Sequence, residues 1–235
     1  MQSLGAIPPV RPVEDKMALK DIVCKDFRYE DIIPFQLDIV TRNKMDFFVP
    51  MTYEILDKEG IRLCYNLSDM DPIRRGMSFS EAPYIASMLI KGMRSTMDHY
   101  IFPSQYLLKE KLVFLCRDGK VRVSYVPVRS SDMPLKDPNK VIRKAVFQFL
   151  NEIYSLEVLN EYKKGEYKKQ MAGDAGKTNG CETVKKVMEI LADNRIGMET
   201  CMRRIEKMKE EVFSVDDLRN LDYEKRGIAL YGNII

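Results

Sequence analysis

The segment KLVFLCRDGKVRVSYVPV, residues 111–128, holds Asp118-Gly119 between two apolar runs. A tight reversal needs backbone at positive φ, which glycine adopts without steric cost, so Asp-Gly in this setting is the strongest short hairpin signal in the chain. The pattern predicts a β-hairpin over about 112–127. On its N-terminal side, Ala82, Ile85, Ala86, Leu89, Met93, Met97 and Tyr100 recur at three- and four-residue steps and form one apolar helical face. Ser80 is placed to cap that helix, with Glu81 and Pro83 in a first turn whose N–H groups have no partner inside the helix. On the C-terminal side, Asp137-Pro138 opens a second long helix, which Ile142, Ala145, Val146, Phe149, Leu150, Ile153 and Tyr154 carry toward about residue 164.

Residues 1–20 are proline-marked and read as a flexible segment. Short β-rich runs follow, and strands are expected near 36–41, 50–56 and 61–67 as an antiparallel meander, with a turn at Asp57-Lys58-Glu59-Gly60. After the second long helix, residues 165–180 lack apolar periodicity and read as a linker. Gly176-Lys177-Thr178 lies there and matches the end of a phosphate-binding loop. Such a loop also needs a glycine five residues before Gly176 and a buried strand ahead of it, but Met171 and EYKKGEYKKQ occupy those places. Helices are expected over 182–193 and 198–213. In the second, Met198, Cys201, Ile205, Met208 and Val212 follow alternating steps of three and four, as in a helical hairpin docked on a neighbour. Ser214 is placed to cap a further short helix. The division is an α+β domain over 21–164 and a helical region over 181–235.

The 38 basic and 35 acidic residues are interspersed and leave a net charge of +3, which gives nucleic-acid binding no electrostatic support. Cys24, Cys64, Cys116, Cys181 and Cys201 lie far apart without a C-x-x-C pair. They read as buried thiols in a reducing compartment rather than as a disulfide frame or zinc site. No apolar run approaches the roughly 18 residues that span a bilayer, and MQSLGAIPPVRPVEDK lacks the apolar stretch of a signal peptide, so a cytoplasmic setting without direct membrane insertion is expected. His99 is the only histidine, which leaves little material for histidine-based triads or metal sites; it is read as serving a helix end. No cofactor or metal is expected.

The segments DFFVPMTYEILDKEGIRLCYNLSDMDPI, EAPYIASMLIKGMRSTMDHYIFPSQYLL and KLVFLCRDGKVRVSYVP together resemble the uncharacterised domain that precedes forkhead-associated domains in Gram-positive bacteria. That family is itself similar to the pseudokinase-like cytoplasmic module of type VII secretion proteins. The likeness covers roughly residues 25–165. It implies a reduced protein-kinase-like α+β fold, made of an antiparallel strand meander, long helix, β-hairpin and long helix and followed here by a helical appendage. An active kinase needs a glycine-rich loop, a strand lysine paired to a helix glutamate, a catalytic-loop aspartate and a metal-binding aspartate. Here no G-x-G-x-x-G occurs, no V-A-I-K strand precedes the first hairpin, the catalytic-loop position reads YIFPSQYLLKEK, and the metal position reads Ser124-Tyr125-Val126-Pro127.

The resemblance therefore implies a non-catalytic protein-interaction module, a cytoplasmic component of a secretion, pilus or signalling assembly whose protein partner is membrane-associated secretion or pilus machinery. In that fold Pro103, Gln105, Tyr106, Tyr125 and Pro127 meet at one cleft edge and are candidates for partner binding; in the competing reading the two tyrosines pack the space a nucleotide would fill. Asp69, Asp71, Asp216 and Asp217 sit beside turn or helix-start signals, where carboxylates accept backbone N–H bonds. Lys109, Glu110 and Lys111 read as a solvated turn, and Arg74-Arg75 as a solvent-facing loop. Two alternatives stand beside the module. One is an enzyme whose reactive group is Cys116, next to Arg117, or Tyr125 on the 112–127 hairpin; the other is a helical adaptor acting through 182–235.

Overall fold

The computed structural model describes residues 21–42, 45–56, 59–75, 77–128, 137–154 and 175–212. The protein is mixed α+β, with two three-stranded antiparallel sheets and five α-helices among these residues. Strands β1 (Ile22–Arg28), β2 (Met51–Ile55) and β3 (Gly60–Asn66) form the first sheet in the order β1-β3-β2. Alternation along β3 turns Ile61, Leu63 and Tyr65 into the core and leaves Arg62 on the other face, where it bonds Asp26 on the neighbouring strand at 2.7 and 3.0 Å. Gly60 is the first residue of β3, opposite Arg28, rather than the positive-φ residue of a turn.

The expected strand at 36–41 is helix α1 (Pro34–Arg42). Ile39, Val40 and Thr41 carry the β-branching that suggests a strand, but Pro34 takes the first helical position, and Gln36, Leu37 and Val40 fall on one buried helical face. The sheet is instead completed by β1, in a stretch for which no strand was expected.

The second sheet has the order β4-β5-β6, from β4 (Met70–Pro72), β5 (Val113–Cys116) and β6 (Val121–Val123). Asp118-Gly119 makes the expected hairpin, as a three-residue loop. Gly119 N–H bonds the Cys116 carbonyl at 2.9 Å, Gly119 takes φ 79°, and the Asp118 carboxylate accepts the Lys120 N–H at 3.0 Å. Every side chain of β5 is buried. The segment leading into β2 joins the second sheet, where Val123 N–H bonds the Phe47 carbonyl and Val49 N–H bonds the Val123 carbonyl.

Helix α2 (Ala82–Met97) runs through the centre, with Ile85, Leu89, Ile90 and Met93 fully enclosed. Its start follows a turn of 3-10 helix at 79–81. Ser80 does not cap it: its hydroxyl bonds that of Ser78 at 2.7 Å. Gly92 lets the Phe47 ring lie directly on the helix, since a Cβ there would stand 1.9 Å from the ring. Helix α3 (Pro138–Tyr154) begins as expected; the continuation toward 164 lies outside the described residues.

Helices α4 (Ala175–Ala192) and α5 (Met198–Val212) pack on α2 and α3, and Val184, Val187, Leu191, Cys201 and Ile205 join the same core. Residues 175–180, expected as linker, are the first turns of α4; residues 165–174 and the helix expected after Ser214 lie outside the described residues. Buried Arg143 on α3 fixes the turn between α4 and α5 by donating to the carbonyls of Ile190, Leu191, Asp193 and Ile196, where the end of α4 leaves acceptors without helical partners. Glu206 of α5 accepts hydrogen bonds from Ser87 and Lys91 of α2. No helix among the described residues is long and apolar enough to cross a membrane.

Candidate functional site

The loop after α2 and the end of the β5–β6 hairpin converge on Gln36. Its amide nitrogen donates to the Tyr100 carbonyl at 3.0 Å and to Gln105 Oε1 at 3.2 Å, and its amide oxygen accepts the Tyr125 hydroxyl at 2.6 Å. Gln105 Oε1 also accepts the Phe102 N–H at 2.7 Å. A buried amide leaves no donor or acceptor idle at low cost, so this chain of bonds fixes α1 to both segments.

The structure brings the sequence candidates together but encloses most of them. Tyr125 is 1% exposed and stacks on Phe48 with ring centroids 4.8 Å apart; Tyr106 is 6% exposed and meets Phe47, Phe48 and Tyr125 edge-on. Pro103 and Pro127 are buried, and Gln105 is half-buried. Tyr106, Tyr125, Pro103 and Pro127 thus lie in the core, and Gln105 is part of its hydrogen-bonded support, rather than on an exposed edge. Burial pushes both phenols far above the ordinary tyrosine range, and the Tyr125 proton is committed to Gln36. Cys116 is also buried, and burial pushes its thiol up to about 11, so it carries little thiolate at neutral pH despite the neighbouring Arg117.

The same loop presents a different set of side chains outward. Tyr100 is 69% exposed, Leu107 62% and Phe102 36%, and Phe35, at the start of α1, is 53% exposed. The Gln36 and Gln105 amides bond the backbone of residues 100 and 102, which ties the start of α1, where Phe35 lies, to the loop that carries Tyr100, Phe102 and Leu107. Tyr100 was expected on the apolar face of α2. It lies beyond the helix end at φ 58°, where Tyr100 N–H bonds the Met97 carbonyl at 3.0 Å and Ile101 N–H bonds the Thr96 carbonyl at 3.1 Å. That pair of bonds closes a helix at a position usually held by glycine. His99 occupies the same turn, as expected of a helix-end residue. The sequence signal for this surface was the run of apolar residues in YIFPSQYLL; which of them faced outward was not encoded in any period.

The remaining polar candidates sit in supporting roles. Asp69 takes φ 62° in the turn before β4 and pairs with Arg117 at 2.9 Å. The Glu110 carboxylate accepts the Arg75 N–H at 3.1 Å. Asp216 and Asp217 lie outside the described residues.

Two features were not anticipated. Cys24 and Cys64 form a disulfide, which corrects their assignment as buried thiols. Thr52 and Cys64 pair across β2 and β3, and Asn66 N–H bonds the Pro50 carbonyl; by alternation Cys64 turns its backbone bonds toward β2 and stands opposite Cys24 without them. Their Cα atoms are 4.1 Å apart, in keeping with such a pair. The other feature is a cavity of about 530 Å³ between α1, the segment leading into β2, and β6, with Val40, Met45, Phe48, Met51 and Arg122 among the residues that line it.

The chain matches no known protein-family model and no curated protein.

Proposed function

We propose that this protein is a non-catalytic interaction module, and that a protein partner offering an apolar segment docks on Phe35, Tyr100, Phe102 and Leu107. Tyr100 is the observation that carries this reading. A non-glycine residue in the left-handed region costs about 1 kcal/mol or more, and here the ring of that residue is mostly in water, so packing within the chain does not account for it. Exposed apolar side chains gathered on two hydrogen-bonded segments are candidates for an interaction surface, and tyrosine and phenylalanine are effective anchors.

The order of strands, long helix, hairpin and long helix supports the finer reading as a reduced protein-kinase-like fold, in which Tyr106 and Tyr125 fill the space of a nucleotide. On that reading the partner belongs to a secretion, pilus or signalling assembly, and the setting is cytoplasmic. The Cys24–Cys64 disulfide favours a second reading of the setting, an oxidising compartment, because such bonds are rare where glutathione keeps thiols reduced. Alkylation of the protein inside intact cells, followed by mass measurement, separates the two: two unmodified cysteines that become reactive only after reduction place the chain in the oxidising one.

The docking reading is tested by a photo-crosslinking residue at position 107, compared with one at position 23 on the far strand, with the crosslinked product identified by mass. A specific adduct at 107 that Tyr100→Ala removes without lowering the melting temperature is the expected result. Equal adducts at both positions, or an adduct indifferent to Tyr100, would refute it.

A further inference from the structure

The cavity beside α1 is separate from the aromatic surface and has chemistry of its own. Its 530 Å³ falls within the range of roughly 300–1,000 Å³ typical of small-molecule sites. Val40, Met45, Phe48 and Met51 give it an apolar wall, and Phe48 is held rigid from behind by Tyr125. Arg122, on β6, also lines the cavity. Its Nε is buried without a hydrogen-bond partner, and its carboxylate neighbour, Asp118, is 3.9 Å away and shared with Lys120. The other acid at the cavity, Asp46, is engaged by Lys120 at 2.7 Å, which holds its carboxyl below the ordinary range.

A guanidinium is always charged, and a buried donor without a partner is costly enough that native structures usually supply one. Here the missing partner would be an anion, because the nearby carboxylates are shared or already paired. The rest of the wall calls for hydrocarbon. We propose that this cavity binds an amphipathic carboxylate, its head group on the guanidinium of Arg122 and its apolar tail along Val40, Met45, Phe48 and Met51. A charged head group reading a guanidinium is the strong form of hydrogen bond, so discrimination between an acid and the equivalent alcohol is expected at about tenfold to a hundredfold.

The probe is decanoate, with decanol as its uncharged counterpart, titrated into the full chain by calorimetry. Arg122→Met removes the charge while keeping the length of the side chain. Thr52→Trp places a large ring at the cavity from an exposed strand position, so it blocks the site without disturbing the core. The expected result is one saturable decanoate site, weakened at least about tenfold by Arg122→Met and abolished by Thr52→Trp, with decanol bound more weakly and insensitive to Arg122. Absence of decanoate binding to the unaltered protein, decanol binding as tight as decanoate, or decanoate binding unchanged in both variants would each overturn the proposal.

Discussion

Replacing Tyr100 separates its backbone from its ring. Both Tyr100→Ala and Tyr100→Gly delete the aromatic group, so the difference between the two variants reports the backbone alone. In a helix interior alanine is better than glycine by about 1 kcal/mol. At φ 58° the order reverses, because the Cβ of alanine crowds the following carbonyl by about 1–2 kcal/mol while glycine pays only its larger unfolded-state entropy of about 0.4–1 kcal/mol. Tyr100→Gly is therefore expected to be the more stable of the two by roughly 0.5–1 kcal/mol. With a urea slope of about 1–3 kcal/mol per molar, that places its unfolding midpoint some 0.2–1 M higher, at an unchanged slope. Both variants should lose the partner equally, since both lack the ring. A midpoint for Tyr100→Ala equal to or above that of Tyr100→Gly would refute the left-handed assignment. Full binding by either variant would refute the docking surface.

Arg143→Met should destabilise the protein by about 2–4 kcal/mol, since it strips donors from buried carbonyls at the end of α4; hydrogen exchange should rise first in α4 and α5. Gly92→Ala, stabilising by helix propensity alone, should instead cost about 1–3 kcal/mol in chemical denaturation, because the Phe47 ring has no room to retreat from Phe48 and Tyr106. Burial pushes the Glu206 carboxyl up, but the bonds from Lys91, Ser87 and Lys209 outweigh it and hold the group at about 2, against an ordinary 4.5. A depressed folded-state value means the stabilisation is complete above about pH 4.5 and is lost as the pH falls toward 2. It amounts to roughly 1–3 kcal/mol after solvent screening. Glu206→Gln should lower stability at pH 7 and flatten that acid limb in a pH series of urea melts.

The amino-acid sequence by itself determined the elements whose signals are local. The apolar period of three and four marks α2, α3 and α5, and Asp118-Gly119 marks the hairpin, because each is encoded by neighbours within one or two turns of chain. Tertiary structure decided the rest. Ile39, Val40 and Thr41 have β-branched side chains that suit a strand, and the core that takes in Gln36, Leu37 and Val40 favours the helix that Pro34 opens. Cys24 and Cys64 are 40 residues apart, and nothing near either one announces the other; they meet because the β1–β3 register puts them opposite each other. In the loop after α2 there is no period to read. Tyr106 points in and Leu107 out, and Tyr100 leaves the helical face it seemed to continue, because the chain direction there is fixed by a left-handed turn and by the amides of Gln36 and Gln105. Long-range contacts of that kind have no local signature, and they are the ones that separate a core tyrosine from an exposed one.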